Sequence, residues 1–388
     1  MSNSLPLQGI KVIEMTEALA GPYSAMLLGD LGADVIKIER PETGDQSRGW
    51  GPPFLQGESA YFLSTNRNKR SLELNIKLND DIELFYSLIR DSDVFITNNP
   101  KMESLKKNNI DPDSLRKINP KLIYVAISGY GHSGLKAGRP GYDILAQGEA
   151  GLMSLTGSKE SSPARYPSAM ADISAGIYAT IGILSSLYKR DCNKKINGDF
   201  IDIALLDAQT TWLANIGSSY FMDNKRPSRM GNAHPTICPY QPLKAKDKMI
   251  IIAIGTERLW YKFCTVLEIT ETIMNDAKFI TNAKRNDNRE ELIEILEGII
   301  VKKNANYWIE KFIHEDIPAG PINFPDETLE DDHLKSRNMI VEIEHPALGI
   351  IKSIGNPINM SQNGPTYRRH PPRLGEHNKE IRKEYLKD

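Results

Sequence analysis

The sequence predicts an α/β protein: a large domain built on a parallel sheet with helices on both faces, plus a smaller α+β domain. Three observations carry this. Between residues 9 and 39 an apolar strand, a helix and a second apolar strand follow one another, the signature of a parallel strand–helix–strand unit. The same alternation recurs to about residue 220. After Asp223 the composition turns polar, and the next two strands are joined by a tight Lys-rich turn instead of a helix.

The elements follow in order. Residues 9–15 and 33–39 read as buried strands, and 20–30 as the helix between them, with Pro22 in its first turn, where a missing N–H is tolerated. Residues 82–89 read as a helix, 93–97 as a strand, 102–108 as a helix and 122–127 as a strand. That strand ends in the Gly-rich turn Ser128-Gly-Tyr-Gly-His-Ser-Gly134, read as a strand-end turn because Gly129-Tyr-Gly131 is too short for phosphate binding. A long helix begins near Asp172, and 200–205 is the last strand of this domain, assigned to residues 1–220. Residues 224–232 read as a linker. The small domain, 225–325, holds strands at 239–243 and 250–254 joined by the turn 244–248, then helices at 259–267, 289–300 and 307–314. The tail, 335–388, mixes strands with a charged helix at 380–386 and is expected to return to the large domain. No internal repeat is present.

The order of elements makes the large domain Rossmann-like, yet that fold's ligand signals are missing. The first strand-to-helix turn, Thr16-Glu-Ala-Leu-Ala-Gly-Pro22, lacks the glycines that let a backbone approach a pyrophosphate. A P-loop, His-Glu-x-x-His and Gly-x-Ser-x-Gly are absent too.

Composition narrows the classes further. The 388 residues are 40% hydrophobic and 25% charged with a net charge of −2, which gives no electrostatic case for a nucleic-acid or anionic-membrane partner. No apolar run is expected to approach the ~20 residues that a membrane helix requires. The three cysteines, Cys192, Cys238 and Cys264, are far apart without metal-ligand spacing, and the start resembles neither a signal nor a transit peptide. The expectation is a cytoplasmic protein with no metal.

One segment concentrates the chemistry. Asp172 opens a stretch with no further charge until Lys189, along which Ile173, Ile177, Ile181 and Leu184 recur at helical spacing. Ser174, Ala175, Gly176, Ala179 and Gly182 keep that helix thin. An Asp at the mouth of such a helix is stabilised by about 0.3–1 kcal/mol through the dipole, which favours the ionised form that a carboxylate nucleophile needs. Helix capping is the commoner job for Asp there, and the segment alone leaves both open.

Several motifs in fixed order suggest a family. They are Leu19-Ala-Gly-Pro22, Leu28-Gly-Asp-Leu-Gly-Ala-Asp-Val-Ile-Lys-Ile-Glu-Arg40, Gly44-Asp45, Asn66-Arg-Asn-Lys-Arg-Ser71 with residues 74–77, Pro140-Gly-Tyr-Asp143, Met170-Ala-Asp172, Gly231-Asn-Ala-His-Pro235 and Pro372-Arg-Leu-Gly-Glu-His377. The chain resembles the class III coenzyme A (CoA) transferases, the CaiB/BaiF family of formyl-CoA and carnitine CoA-transferases. Trp50-Gly-Pro-Pro53 and His234-Pro-Thr-Ile-Cys-Pro-Tyr240 resemble the branch containing succinate–hydroxymethylglutarate CoA-transferase.

The resemblance implies an interlocked homodimer, with each active site where a large and a small domain meet. It implies that Asp172 attacks an acyl-CoA thioester to form an aspartyl-acyl anhydride. CoA then passes to a free carboxylic acid, a short dicarboxylate such as succinate, with no permanently bound cofactor. It assigns Leu19, Ala20, Arg40, Leu74, Lys77, Asn98, Lys106 or its neighbour Lys107, and Tyr142 to CoA binding. Arg40 also ends a predicted parallel strand, where open sheets bind ligands. A dicarboxylate needs a cation in the pocket; the candidates are Arg67, Arg139 and Arg165, all in predicted loops. Where formyl-CoA transferase has a glutamine and a glycine-rich loop, this chain has Leu19 and His234-Pro-Thr-Ile237, which speaks against formyl transfer.

Two rival readings use the same residues. An α-methylacyl-CoA racemase needs a second base, and the position of its histidine is Tyr142 here, a poor base at pH 7; His132 lies on the wrong side of its turn. A non-catalytic CoA-binding protein has no need of both Asp172 and Arg40.

Overall fold

The computed structural model describes residues 4–193 and 196–386, which divide into two compact units. The first comprises the described residues within Met1–Met153, Arg165–Lys225 and Asp332–Asp388; the second comprises Ser154–Ala164 and Arg226–Asp331.

The first unit is built on six parallel strands: β1 (Lys11–Met15), β2 (Asp34–Glu39), β3 (Lys69–Glu73), β4 (Val94–Thr97), β5 (Ile123–Ser128) and β6 (Phe200–Ala204), in the order β3-β2-β1-β4-β5-β6. Successive residues of a strand face opposite sides. Val12, Val35, Ile96 and Val125 therefore join one core, while Ile13, Ile36, Phe95 and Tyr124 join the other. The first core is covered by α1 (Ala20–Asp30) and the second by the helix Asn79–Arg90, whose Leu84, Phe85 and Leu88 are fully buried. Two further helices matter below: α2 (Asp143–Glu149) and α3 (Met170–Cys192).

Helix α3 packs on α1 through its small residues. A Cβ at Gly176 would lie 2.7 Å from the Ala20 carbonyl oxygen, so no side chain fits there. Ala175 and Ala179 are fully buried, and the Ser24 and Thr180 hydroxyls hydrogen-bond at 3.0 Å. The expectation that no apolar run is membrane-length needs correction. Helix α3 has 23 residues with a mean hydropathy of 1.3 over its most apolar 18, long and apolar enough to cross a membrane by length and composition. Counting uninterrupted apolar residues missed it, because Gly, Ser and Thr dilute the run without adding charge. Part of that window, 44%, is buried against the unit's own core.

Strand β3 was not foreseen, since its sequence, Lys-Arg-Ser-Leu-Glu, has none of the apolar alternation of a strand. Its charges are satisfied by tertiary partners. Lys69 pairs with Glu14 at 2.8 Å, and Lys37 bridges Glu14 at 3.0 Å and Asp45 at 2.9 Å, all with fully buried side chains. Burial pushes the Glu14 carboxyl up, but Lys37 and Lys69 outweigh it and hold Glu14 below the usual range. The same burial brings Lys69 down to about 8.

The tail closes on this unit. Asp30, fully buried, accepts hydrogen bonds from Arg67 at 2.9 and 2.7 Å, Asn68 at 2.8 Å and Asn356 at 3.2 Å. Strands Ile340–His345 and Gly349–Ile354 form a hairpin, and the helix Asn378–Tyr385 packs on β3 and the helix Asn79–Arg90.

The second unit holds a three-stranded antiparallel sheet of Tyr240–Lys244, Met249–Ala253 and Ala319–Pro321, with helices Glu257–Val266, Arg289–Ile300 and Ala305–His314 around Phe263, Phe312 and Leu296. The third strand was not legible in Ala-Gly-Pro. Carbonyls of the loop 234–238 are tied down by three side chains. Arg289 donates to His234 and Ile237, Asn282 to Thr236, and the buried Arg285 to Cys238.

Candidate active site

In an open parallel sheet, ligands bind beyond the carboxyl ends of the strands. There the first unit has a cavity of about 930 Å³. The loop after β1 contributes Glu17 and Leu19, α1 its first residue Ala20, the loop after β4 Asn98, and β5 ends in it at Ser128. Ala18 holds the left-handed φ of +70°, unusual for alanine, and donates its N–H to Asp45 at 3.1 Å. Asp45 in turn is anchored by Lys37, so the buried ion cluster sets the conformation of the loop above it.

Asp172 lines this cavity half-buried. Its state differs from the sequence expectation. Helix α3 begins at Met170, so Asp172 is its third residue and caps nothing. The carboxylate of Asp143, from α2, accepts the Ala171 N–H at 2.8 Å and takes the role at the helix start. No hydrogen bond to the Asp172 carboxylate is found among the described residues. Burial, with the negative charge of Asp143 adding to it, pushes the carboxyl up to about 7, so the helix dipole does not keep it fully ionised. A carboxylate without donors keeps its electron density and is the more reactive nucleophile when ionised.

Asp143 reaches the cavity through a backbone approach. A Cβ at Gly129 would sit 2.5 Å from the Gly141 Cα, and the reverse holds for Gly141. Only two glycines allow this, and the contact brings Tyr142 and Asp143 to the end of β5. In the sequence Gly129 looks like an ordinary turn residue, because its partner Gly141 lies 12 positions away. Tyr142 is 59% exposed at the rim. Gln147, buried, donates to Asp143 at 2.7 Å and accepts the Tyr166 N–H at 2.8 Å, so it braces the segment leading into α3.

Tyr61 and Trp50 line the cavity and pack edge to face at 4.9 Å. Burial, then the charges of Asp172 and Asp143, push the Tyr61 hydroxyl up to about 12, which keeps it a hydrogen-bond donor. Tyr61 was missed because nothing in Ala60–Thr65 marks a site until the fold sets that helix beside Asp172.

The residues assigned to CoA binding fall into three groups. Leu19, Ala20, Asn98 and Tyr142 line the large cavity. Arg40 and Leu74 line a second cavity of about 290 Å³ that shares Glu17 and Asn98 with it. Arg40 is ion-paired with Glu17 at 2.9 Å, and Asn98 donates to the Glu17 carbonyl at 2.9 Å and accepts its N–H at 3.3 Å. Lys77 and Lys106 are exposed and line neither cavity.

The three arginines proposed for a second substrate carboxylate separate cleanly. Arg67 is buried and consumed by Asp30, Ser353 and Ile354, which removes it as a candidate. Arg139 pairs with Glu149 at 3.0 Å, away from the cavity lining. Arg165 lines the cavity. His132 does not, and its buried ring nitrogens find no hydrogen-bond partner among the described residues.

The cavity thus holds Asp172 without a hydrogen-bonded partner among the described residues, with Asp143 and Arg165 in the same lining. Residues 7–378 match the family model described as CoA-transferase family III, and the chain belongs to that family, the class III CoA-transferases. It is 38% identical over 387 residues to succinyl-CoA:glutarate CoA-transferase of Homo sapiens, spanning 100% of this chain and 87% of that one. It is 39% identical over 382 residues to succinate–glutarate CoA-transferase of Agrobacterium fabrum, spanning 97% and 94%. The crystal structure of a CaiB/BaiF family protein from Brucella suis superposes with a TM-score of 0.86 at 39% identity, over 99% of this chain and 100% of that one.

Proposed function

We propose that this enzyme moves CoA from a short dicarboxylic acyl-CoA, with succinyl-CoA as the leading donor, to a free dicarboxylic acid of similar length, through an anhydride formed on Asp172. The observation that carries the mechanism is an aspartate in the main cavity with no hydrogen-bonded partner among the described residues, relieved of the capping role by Asp143. The substrates follow from the relatives named for succinate and glutarate.

In this mechanism an Asp172 oxygen attacks the thioester carbonyl, the C–S bond breaks and CoA thiolate leaves. The thiolate attacks the Asp172 carbonyl carbon and releases the first acid. The acceptor carboxylate attacks the resulting aspartyl thioester, and the thiolate returns to the new anhydride at the acceptor's carbonyl. Each exchange retains an activated carbonyl, so the energy of the thioester is not lost to water. Leu19, Ala20, Asn98 and Tyr142 line the path of the CoA arm, Arg40 and Leu74 its nucleotide end, and Lys77 and Lys106 add charge from the surface near the phosphates. Binding of that remote arm offsets formation of the anhydride.

We read the working unit as a homodimer. Ile177, Ile181 and Tyr188 of α3 are exposed, and the helix Ala214–Asp223 has no buried residue while carrying Phe221 and Met222 at 80% and 87% exposure. Apolar surface of this extent in one chain is normally covered by a partner.

Asp172→Asn removes the nucleophile and should abolish transfer while CoA binding persists. With acyl-CoA and hydroxylamine present, mass spectrometry should find a hydroxamate on Asp172; substantial turnover by the variant would overturn the reading. Light scattering should give twice the chain mass, and a monomer at micromolar concentration would sink the dimer.

A further inference from the structure

The large cavity has an uneven charge. Among the described residues three carboxyl side chains line it, those of Glu17, Asp143 and Asp172, against a single cation, Arg165. An acceptor that arrives as a free carboxylate meets like charge there, and one with two carboxylates meets it twice. Arg165 is exposed, and no hydrogen bond or ion pair of its guanidinium is found among the described residues. The arginines at 67 and 139 are both occupied by carboxylates of the protein itself.

The placement of Arg165 is built, too. The segment from Tyr166 to Ala171 connects it to Asp172 and is braced from α2. Gln147 accepts the Tyr166 N–H at 2.8 Å and lies 3.4 Å from the Tyr166 and Ser168 carbonyl oxygens, to which its amide donates. Asp143 holds the Ala171 N–H at 2.8 Å and is itself bound by Gln147 at 2.7 Å. One buried pair, Gln147 and Asp143, therefore fixes both ends of the segment, with the cation before it and the nucleophile after it.

Resting on the transferase reading above, we propose that Arg165 determines specificity by binding the non-reacting carboxylate of a dicarboxylic acyl group or acceptor while the other carboxyl carbon lies at Asp172. A guanidinium presents paired N–H donors that match a carboxylate, and a monocarboxylic acid of the same length leaves them unused.

The test compares wild type, Arg165→Gln and Arg165→Lys, with succinyl-CoA and butyryl-CoA as donors and glutarate and valerate as acceptors. Arg165→Gln should lower kcat/KM for glutarate by about 10- to 100-fold relative to wild type, as loss of a charged hydrogen-bond pair does. Its effect on valerate transfer from butyryl-CoA should stay within about threefold. Arg165→Lys should recover part of the glutarate activity. Monocarboxylate turnover in the same preparation reports that the variant is folded. Equal losses on glutarate and valerate overturn the inference, since they assign Arg165 to CoA or to the scaffold. A preference for glutarate that survives in Arg165→Gln also overturns it, while leaving the transferase reading intact. A wild type that transfers to neither acid removes both.

Discussion

Two groups of carboxylates in the first unit resolve the same problem in opposite ways. Beneath the loop after β1, Glu14 and Asp45 are buried with Lys37 and Lys69 and remain charged below their usual range. Above that loop, Asp172 is removed from water beside another carboxylate, and its carboxyl rises to about 7. Burial costs both groups. The lower one is compensated by cations and becomes scaffold; the upper one is left uncompensated and keeps its reactivity. Asp45 connects the two, since it holds both Lys37 and the Ala18 N–H.

The largest expected effect breaks the upper group. Asp172→Asn should lower transfer by more than about 10³-fold, as loss of a covalent nucleophile does. Stability should move the other way. An Asp whose folded pKa is raised binds its proton more tightly when folded, so the parent loses stability as pH climbs from about 4 through 7. The variant has no such loss, and urea unfolding at pH 8 should find it more stable by roughly 1–3 kcal/mol. Equal stability would mean that Asp172 is not strained by burial.

Breaking the lower group should do the reverse. Lys37→Met leaves Glu14 and Asp45 without a shared cation and should cost about 3–5 kcal/mol, read by thermal or urea unfolding. A mild effect would mean that water or Lys69 compensates.

The comparison sharpens with pH. If Asp172 reacts as its anion, kcat/KM should rise with pH through an apparent pKa near 7. Asp143→Asn retains a carbonyl acceptor for the Ala171 N–H but removes the neighbouring negative charge. The rising limb should then move to lower pH. A limb that does not move would assign the titration to another group.

The smallest effect lies at the rim. Arg40→Glu should raise KM for acyl-CoA several-fold more than KM for the free acid, and added salt should shrink the difference. Equal changes in both would make the Arg40 ion pair with Glu17 structural.

Much of the large sheet was legible because local signals agreed with the fold. Strands β1, β2, β4, β5 and β6 are short apolar runs between turn residues, and α3 announced itself by one carboxylate before a thin apolar helix. What was not legible depended on partners distant in sequence. Strand β3 forms from Lys69 and Arg70 because Glu14 and Asp34 await them. The ionisation of Asp172 depends first on its burial in the folded unit and then on the charge of Asp143, 29 positions earlier, which also takes the helix-start hydrogen bond. The dipole of α3 favours the anion, but burial and the Asp143 charge outweigh it and turn the sign of the shift. Motif matching assigned Arg40, Asn98 and Tyr142, all of which reach the two cavities, but gave no reason to separate Arg165 from Arg67; burial and pairing did that.

Asp30 has a consequence for how the chain is made. Its carboxylate, fully buried at the end of α1, is completed by Asn356, which leaves the ribosome 326 residues later. At about 5–20 residues per second, that is roughly 15–65 s of synthesis during which the first helix and its sheet exist without their closing segment. The second unit emerges entirely within that interval. Nascent chains arrested before residue 356 should therefore be sensitive to protease at the Asp30 end of α1, and chains long enough to bring Asn356 out of the ribosome should be protected there.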